Sequence, residues 1–129
     1  MRLPKEAPAP MTEHQEQCAL IQWWQWQCSG YGIPEPLLYA IPNGGARHIV
    51  VAKKLKDEGV RAGIPDLFLA VSRNGFHGLY IELKTASGRP SSAQKAIIGE
   101  LEQQGYACKV CHGFEEARRA IADYLGKDE

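Results

Sequence analysis

The chain has 129 residues, 44% of them hydrophobic, and its 15 basic and 15 acidic side chains cancel to a formal net charge of zero. That is the length of one domain with a proper core, with no apolar run near the roughly 20 residues of a membrane span and no apolar leader after Met1. Zero net charge argues against strong indiscriminate attraction to nucleic acid, but it allows a local basic surface around an acidic site.

Residues 1–11 are rich in Pro and Ala and read as a disordered or loose arm, followed by one domain over 12–126 and a tail over 127–129. Thr12 is placed to cap a helix from about 13 to 28, whose inward face carries Gln17, Leu20, Ile21, Trp24 and Cys28 at helical spacing. A Gly- and Pro-punctuated loop spans 30–36. Leu37–Ile41 reads as a short strand, Asn43-Gly44-Gly45 as a loop, and about 47–58 as a helix stopped by Gly59. A hairpin follows over about 66–72 and 77–84, turning through Ser72-Arg73-Asn74-Gly75. Ser91 caps a helix to about Gln104, Tyr106–Cys111 reads as a strand, and Phe114–Leu125 as the last helix. The order αβαββαβα, with a mixed central sheet flanked by helices, is that of an α/β domain.

The chemistry concentrates in the hairpin. Gly63-Ile64-Pro65-Asp66 opens the first strand, and Ile81-Glu82-Leu83-Lys84 closes the second. Side chains two apart on a strand share a face, so Glu82 and Lys84 point together while Ile81 and Leu83 point to a core. Carboxylate oxygens suit hard cations such as Mg²⁺. A bound cation makes water a better nucleophile and offsets charge on a phosphoryl oxygen. A lysine beside it can orient or deprotonate that water, or hold the phosphate. The plainer alternative is an Asp66–Lys84 or Glu82–Lys84 ion pair on a solvated face. Pro-Asp at a strand start followed by an apolar strand carrying Glu-x-Lys favours the site.

Taken together, Gly-Ile-Pro-Asp-Leu and Ile-Glu-Leu-Lys resemble the PD-(D/E)XK nuclease superfamily. More narrowly, the chain resembles the stand-alone phage and bacterial form of the VRR-NUC family, over about residues 12–125. Supporting stretches are Ile41–Arg47, Gly59–Gly63, Ser91–Gln94, Gly105-Tyr106 and the C-terminal helix. The resemblance implies a restriction-endonuclease-like core and phosphodiester hydrolysis dependent on Mg²⁺ or Mn²⁺, with no nucleotide cofactor. It also implies homodimers acting on branched DNA, notably four-way (Holliday) junctions, in the cytoplasm of a bacterium or phage-infected host cell.

The resemblance further implies residue roles. Asp66, Glu82, Lys84 and Glu13 would be catalytic, and Glu13, Asp66, Glu82 and the Leu83 carbonyl would hold the metal. Glu13 lies four residues before Gln17, its supporting partner, on the inward helical face. Glu16 competes one register away, and either acid could instead be an exposed first-turn residue favoured by the helix dipole. Asn43, Gly44, Gly45 and Arg47 form a loop suited to phosphate near a helix start. Lys53, Arg61, Arg89 and Gln94 complete the expected nucleic-acid contacts, although Asp57 and Glu58 make a merely solvated helix face an alternative for the lysines.

The remaining features point elsewhere. Cys108 and Cys111 have zinc-like spacing, but on a strand residues three apart face opposite sides, and free thiols filling gaps are expected. His14, His48, His77 and His112 are scattered without ligand spacing. Of Trp23, Trp24 and Trp26, at most one face is core, and the others would cover a loop or a partner. A flap or nicking nuclease, or a non-catalytic nucleic-acid-binding module on the same fold, are the alternatives to a junction nuclease. Retention of both hairpin acids and the lysine favours catalysis.

Overall fold

The computed structural model describes residues 9–43 and 49–126 of the chain. Most of the expected N-terminal arm, Gly44, Gly45, Arg47, His48 and the tail lie outside the described residues. Four helices, α1 (Glu13–Gln27), α2 (Ile49–Asp57), α3 (Ser92–Gln103) and α4 (Phe114–Leu125), alternate with strands β1 (Leu38–Ala40), β2 (Leu67–Leu69), β3 (Leu79–Lys84) and β4 (Ala107–His112) in the order αβαββαβα. The sheet order is β1-β2-β3-β4; the first two pairings are antiparallel, and β3 pairs with β4 in parallel. A parallel pair needs a crossover, and α3 provides it.

Local chemistry explains the boundaries. Thr12 accepts from the Gln15 N–H while the Gln15 side chain accepts from Thr12, a reciprocal capping box. Ser91 and Gln94 repeat it at α3. Asn74 and Gly75 both have positive φ (53° and 84°), the geometry that lets a two-residue turn follow the strand twist. The first three strands are shorter than the sequence pattern, and β4 keeps the expected length one residue later. Leu37 belongs to a 3₁₀ turn with Glu35 and Pro36, and Asp66 stands one residue before β2.

The core fills the space between one sheet face and the α1–α4 pair. Leu67, Leu69, Leu79, Ile81 and Leu83 meet Leu20 and Trp24 of α1 and Ala117 and Ile121 of α4, all essentially without solvent contact. Leu20 and Trp24 of α1, with Cys28 in the 3₁₀ turn just after it, follow the four-residue repeat expected of an inward stripe. Trp24 is core, its indole N–H donating to the Glu35 carbonyl at 2.8 Å. Trp23 packs against Tyr31, while Trp26 is 82% exposed. The Tyr124 hydroxyl donates to the Val71 carbonyl at 2.6 Å, and the Asn74 amide donates to the Tyr124 carbonyl at 3.1 Å, tying the hairpin to α4. No described helix is long and apolar enough to cross a membrane. The four cysteines are free; burial pushes the Cys108 and Cys111 thiols up to about 11 and about 12, so they stay neutral packing groups.

Candidate active site

The sheet register places the reactive groups. Leu67 pairs with Ile81 and Ala40 with Leu67, and the Ile41 N–H donates to the Asp66 carbonyl at 2.8 Å, so the ladder runs on past β2. Side chains alternate faces along each strand. On the face turned away from the core residues Ile81 and Leu83, Ile41, Asp66, Glu82 and Val110 form one row across the four strands. Asn43, Lys84 and His112 form the next.

Asp66 is held by both oxygens. Its Oδ1 accepts from the Asn43 amide at 3.0 Å, and its Oδ2 accepts from the Leu83 backbone N–H at 2.7 Å. The preceding turn explains its position. Gly63 has φ 87°, and a Cβ there would lie 3.5 Å from the Ala93 carbonyl oxygen, so the chain passes close over α3. Pro65 is fully buried without an N–H to leave unpaired.

Glu82 is 2% exposed and is the only buried charged residue among the described residues. Its Oε2 accepts from the Gln94 amide at 2.9 Å. The same Gln94 side chain accepts from the Ser91 N–H at 2.8 Å, so the cap of α3 and the site share one residue. Burial first, then the hydrogen bond and charge of Asp66, push the Glu82 carboxyl up to about 8; Glu13 adds to the rise, and Lys84 opposes it. Lys84 is half-buried and makes no ion pair with any described residue, which removes the surface ion-pair reading.

The two glutamates of α1 separate. Glu16 Oε2 accepts from the Phe114 N–H at 2.6 Å, and its carboxylate sits at the start of α4 beside Gly113. It caps a helix whose Ncap is a glycine with no side chain to do so. Glu13, expected on the inward face with Gln17, is instead exposed in the first turn of α1, where the chain has not yet come under the core, and its charge adds to the rise at Glu82. Among the described residues no three His, Cys, Asp or Glu side chains gather as a metal-holding group, so the close pair is Asp66 and Glu82. Gln17 is half-buried on the same helix.

The expected nucleic-acid contacts divide in the same way. Asn43 and Gln94 reach the acids directly. Arg89 is exposed in the loop after β3, and His112 Nε2 lies 3.0 Å from the Gly88 carbonyl in that loop. Arg61 donates to the Lys56 and Val60 carbonyls at the end of α2, and Lys53 pairs with Asp57 at 3.0 Å on an exposed face. Gly44, Gly45 and Arg47 lie outside the described residues. Sequence reasoning missed the Leu83 N–H as an anchor of Asp66, since a backbone donor leaves no mark on residue type. It also missed His112 as a tether of the Arg89 loop; only the parallel register with Lys84 brings it there.

The donors are all oxygens, the set that suits Mg²⁺ or Mn²⁺ rather than zinc. Two acids close enough to share a proton, one of them buried, carry negative charge that a dication would balance.

The VRR-NUC domain model matches residues 11–115. A solved structure described as a VRR_NUC domain protein is 29% identical, with a TM-score of 0.79, over 95% of this chain and 94% of that one. No curated protein sequence matches the chain.

Proposed function

Because the chain belongs to the VRR-NUC family of nucleases, we propose that it is a metal-dependent DNA endonuclease that cuts branched DNA, the four-way (Holliday) junction above all, as a homodimer. The observation that carries the reading is the Asp66–Glu82 pair, with Lys84 on the same sheet face and a buried Glu82 carboxyl pushed up to about 8. A solvated surface pair would show neither the burial nor the crowding.

Asp66 and Glu82 would hold Mg²⁺ or Mn²⁺, with Glu13 and the Leu83 carbonyl as further oxygens. Such a cation, when bound, lowers the pKa of water and offsets charge on a phosphoryl oxygen. Asn43 and the Leu83 N–H fix both oxygens of Asp66, so its orientation is set before substrate arrives. Gln94 does the same for Glu82. Lys84, free of any described ion pair, neutralises the scissile phosphate or accepts a proton from the attacking water. Arg89 extends positive charge along the exposed rim. The dimer is favoured by size: the described residues carry one such site, and a two-fold pair would present two at fixed separation.

The test is cleavage of a four-way junction, a 5′ flap, a plain duplex and single-stranded DNA with Mg²⁺ or Mn²⁺, with Glu82→Ala as control. Paired symmetric incisions confined to the junction support the reading. Flap cutting alone replaces the junction with a single-site substrate, and no metal-dependent cutting refutes the enzyme.

A further inference from the structure

Beside the carboxylate row, the same sheet face carries a second row whose composition is unrelated to metal binding. Tyr39 pairs with Phe68, Phe68 with Tyr80, and Tyr80 with Cys108, so three rings cross β1, β2 and β3 side by side. On β4 the row position is Cys108, and Tyr106, two residues earlier, packs its ring against Tyr80 from the next row. The rings touch in sequence: Tyr39 meets Phe68 edge-on with centroids 5.9 Å apart, Phe68 lies 4.4 Å from Tyr80, and Tyr80 lies 5.3 Å from Tyr106. Phe68 and Tyr80 are each two residues from Asp66 and Glu82, a step of about 6.7 Å along a strand. That is the reach of one nucleotide.

The row is packed at one end and open at the other. Gly78 lies under Phe68, where a Cβ would come within 2.5 Å of the ring, so the ring is seated firmly. Tyr39, by contrast, is 45% exposed on an edge strand. Tyr39 is thus an exposed ring held against a fixed neighbour at the open end of the row. Past the acids, in the opposite direction, stands Lys84. The face therefore runs from flat apolar rings, through paired carboxylates, to a cation. A nucleotide has the complementary order, from a flat base to a phosphate.

We propose that Tyr39, backed by Phe68 and Tyr80, stacks on an unpaired base next to the scissile phosphate and so favours substrates with unpaired nucleotides over plain duplex. This rests on the nuclease reading for the position of the phosphate. Stacking on an aromatic side chain needs a base out of its duplex, which a flap or a single strand supplies outright and which opening of a pair at the exchange point of a four-way junction supplies more cheaply than a continuous duplex does.

The test uses the full chain with Ca²⁺ in place of Mg²⁺ for binding and Mg²⁺ for cutting. The probes are a four-way junction and a 5′ flap carrying 2-aminopurine at the branch, and a plain duplex. Wild type and Tyr39→Phe are expected to quench the 2-aminopurine. Tyr39→Ala and Tyr39→Leu are expected to lose the quench and about 5- to 150-fold of branched-DNA affinity, the range for one stacked base, with a smaller loss on duplex. Thermal melts confirm that each variant is folded. If wild type cuts and Tyr39→Ala keeps both quench and branch preference, the stacking role is overturned and the nuclease stands. If wild type quenches through Tyr39 but never cuts, the stacking surface stands and the nuclease reading falls. Neither cutting nor quenching overturns both. Loss of dimer in Tyr39→Ala without DNA, with quenching unchanged, overturns the stacking role and assigns the ring to a second copy of the chain instead.

Discussion

Glu82→Gln should make the metal-free protein more stable while abolishing cleavage. The folded-state carboxyl sits at about 8 against an ordinary 4.5, so the folded protein holds this proton where the unfolded chain has lost it. A raised acid works against folding as pH climbs: nothing is lost below about 4.5, and stability falls steadily up to about 8. Between pH 5 and pH 7 the loss is on the order of a few kcal/mol, shared by the Asp66–Glu82 pair rather than owned by one group. For a domain of this size that is on the order of 10 °C of Tm. Gln at position 82 mimics the protonated acid, accepting from Gln94 and donating to Asp66, at every pH. Thermal melts of both proteins in EDTA from pH 5 to pH 8 should therefore nearly coincide at pH 5 and separate as pH rises, with the variant higher. Mg²⁺ should then raise the wild-type Tm and leave the variant's unmoved, because only a cation bound to the folded state stabilises it. A constant Tm difference across this pH range, or a variant less stable at pH 7, would refute the argument that crowding at this pair opposes folding.

Lys84→Ala should cut about 10²–10⁴-fold more slowly, the usual worth of a positioned acid or base, while junction binding in Ca²⁺ changes far less; cutting at the wild-type rate would remove Lys84 from the chemistry. Glu16→Ala should cost about 1–2 kcal/mol in urea unfolding, because the Phe114 N–H at the start of α4 loses its acceptor. Glu13→Ala should lower cleavage without that loss, and the reverse pattern would exchange the roles of the two glutamates. Gly78→Ala should cost about 1–3 kcal/mol, the range for overpacking, since its Cβ would fall 2.5 Å from the seated Phe68 ring; an unchanged unfolding midpoint would show that the ring can yield.

Much of this was legible in the residues, for physical reasons that also mark where reading stopped. The order of elements followed from period and punctuation, because Thr12, Ser91, Gly59 and Gly105 act on their own few neighbours. The Asp66–Glu82 juxtaposition was legible because a hairpin is local: strands joined through Asn74-Gly75 must pair, and their alternation fixes which side chains meet. Residue type alone could not separate Glu13 from Glu16. Their roles depend on α4, which packs on α1 from almost a hundred residues away, and on a glycine cap there that needs an acceptor. The burial of Glu82 was equally hidden, since its strand reads as half-solvated until α3 brings Gln94 onto that face.

The anchors of the site explain why so small a domain can keep two acids together. Asp66 is held from the end of β1 through Asn43 and from β3 through the Leu83 N–H, and Glu82 is held from α3 through Gln94. Each hydrogen bond favours the charged form of its acceptor, yet Glu82 remains raised, so burial and the neighbouring acid outweigh them. The scaffold therefore fixes the positions of the carboxylates and leaves their charge unbalanced. A site whose donors are fixed and whose charge is not can gain from a cation without rearranging. Under the proposed metal-dependent cleavage, a bound cation would return the stability withheld from the metal-free fold, at the place where the phosphate would be attacked.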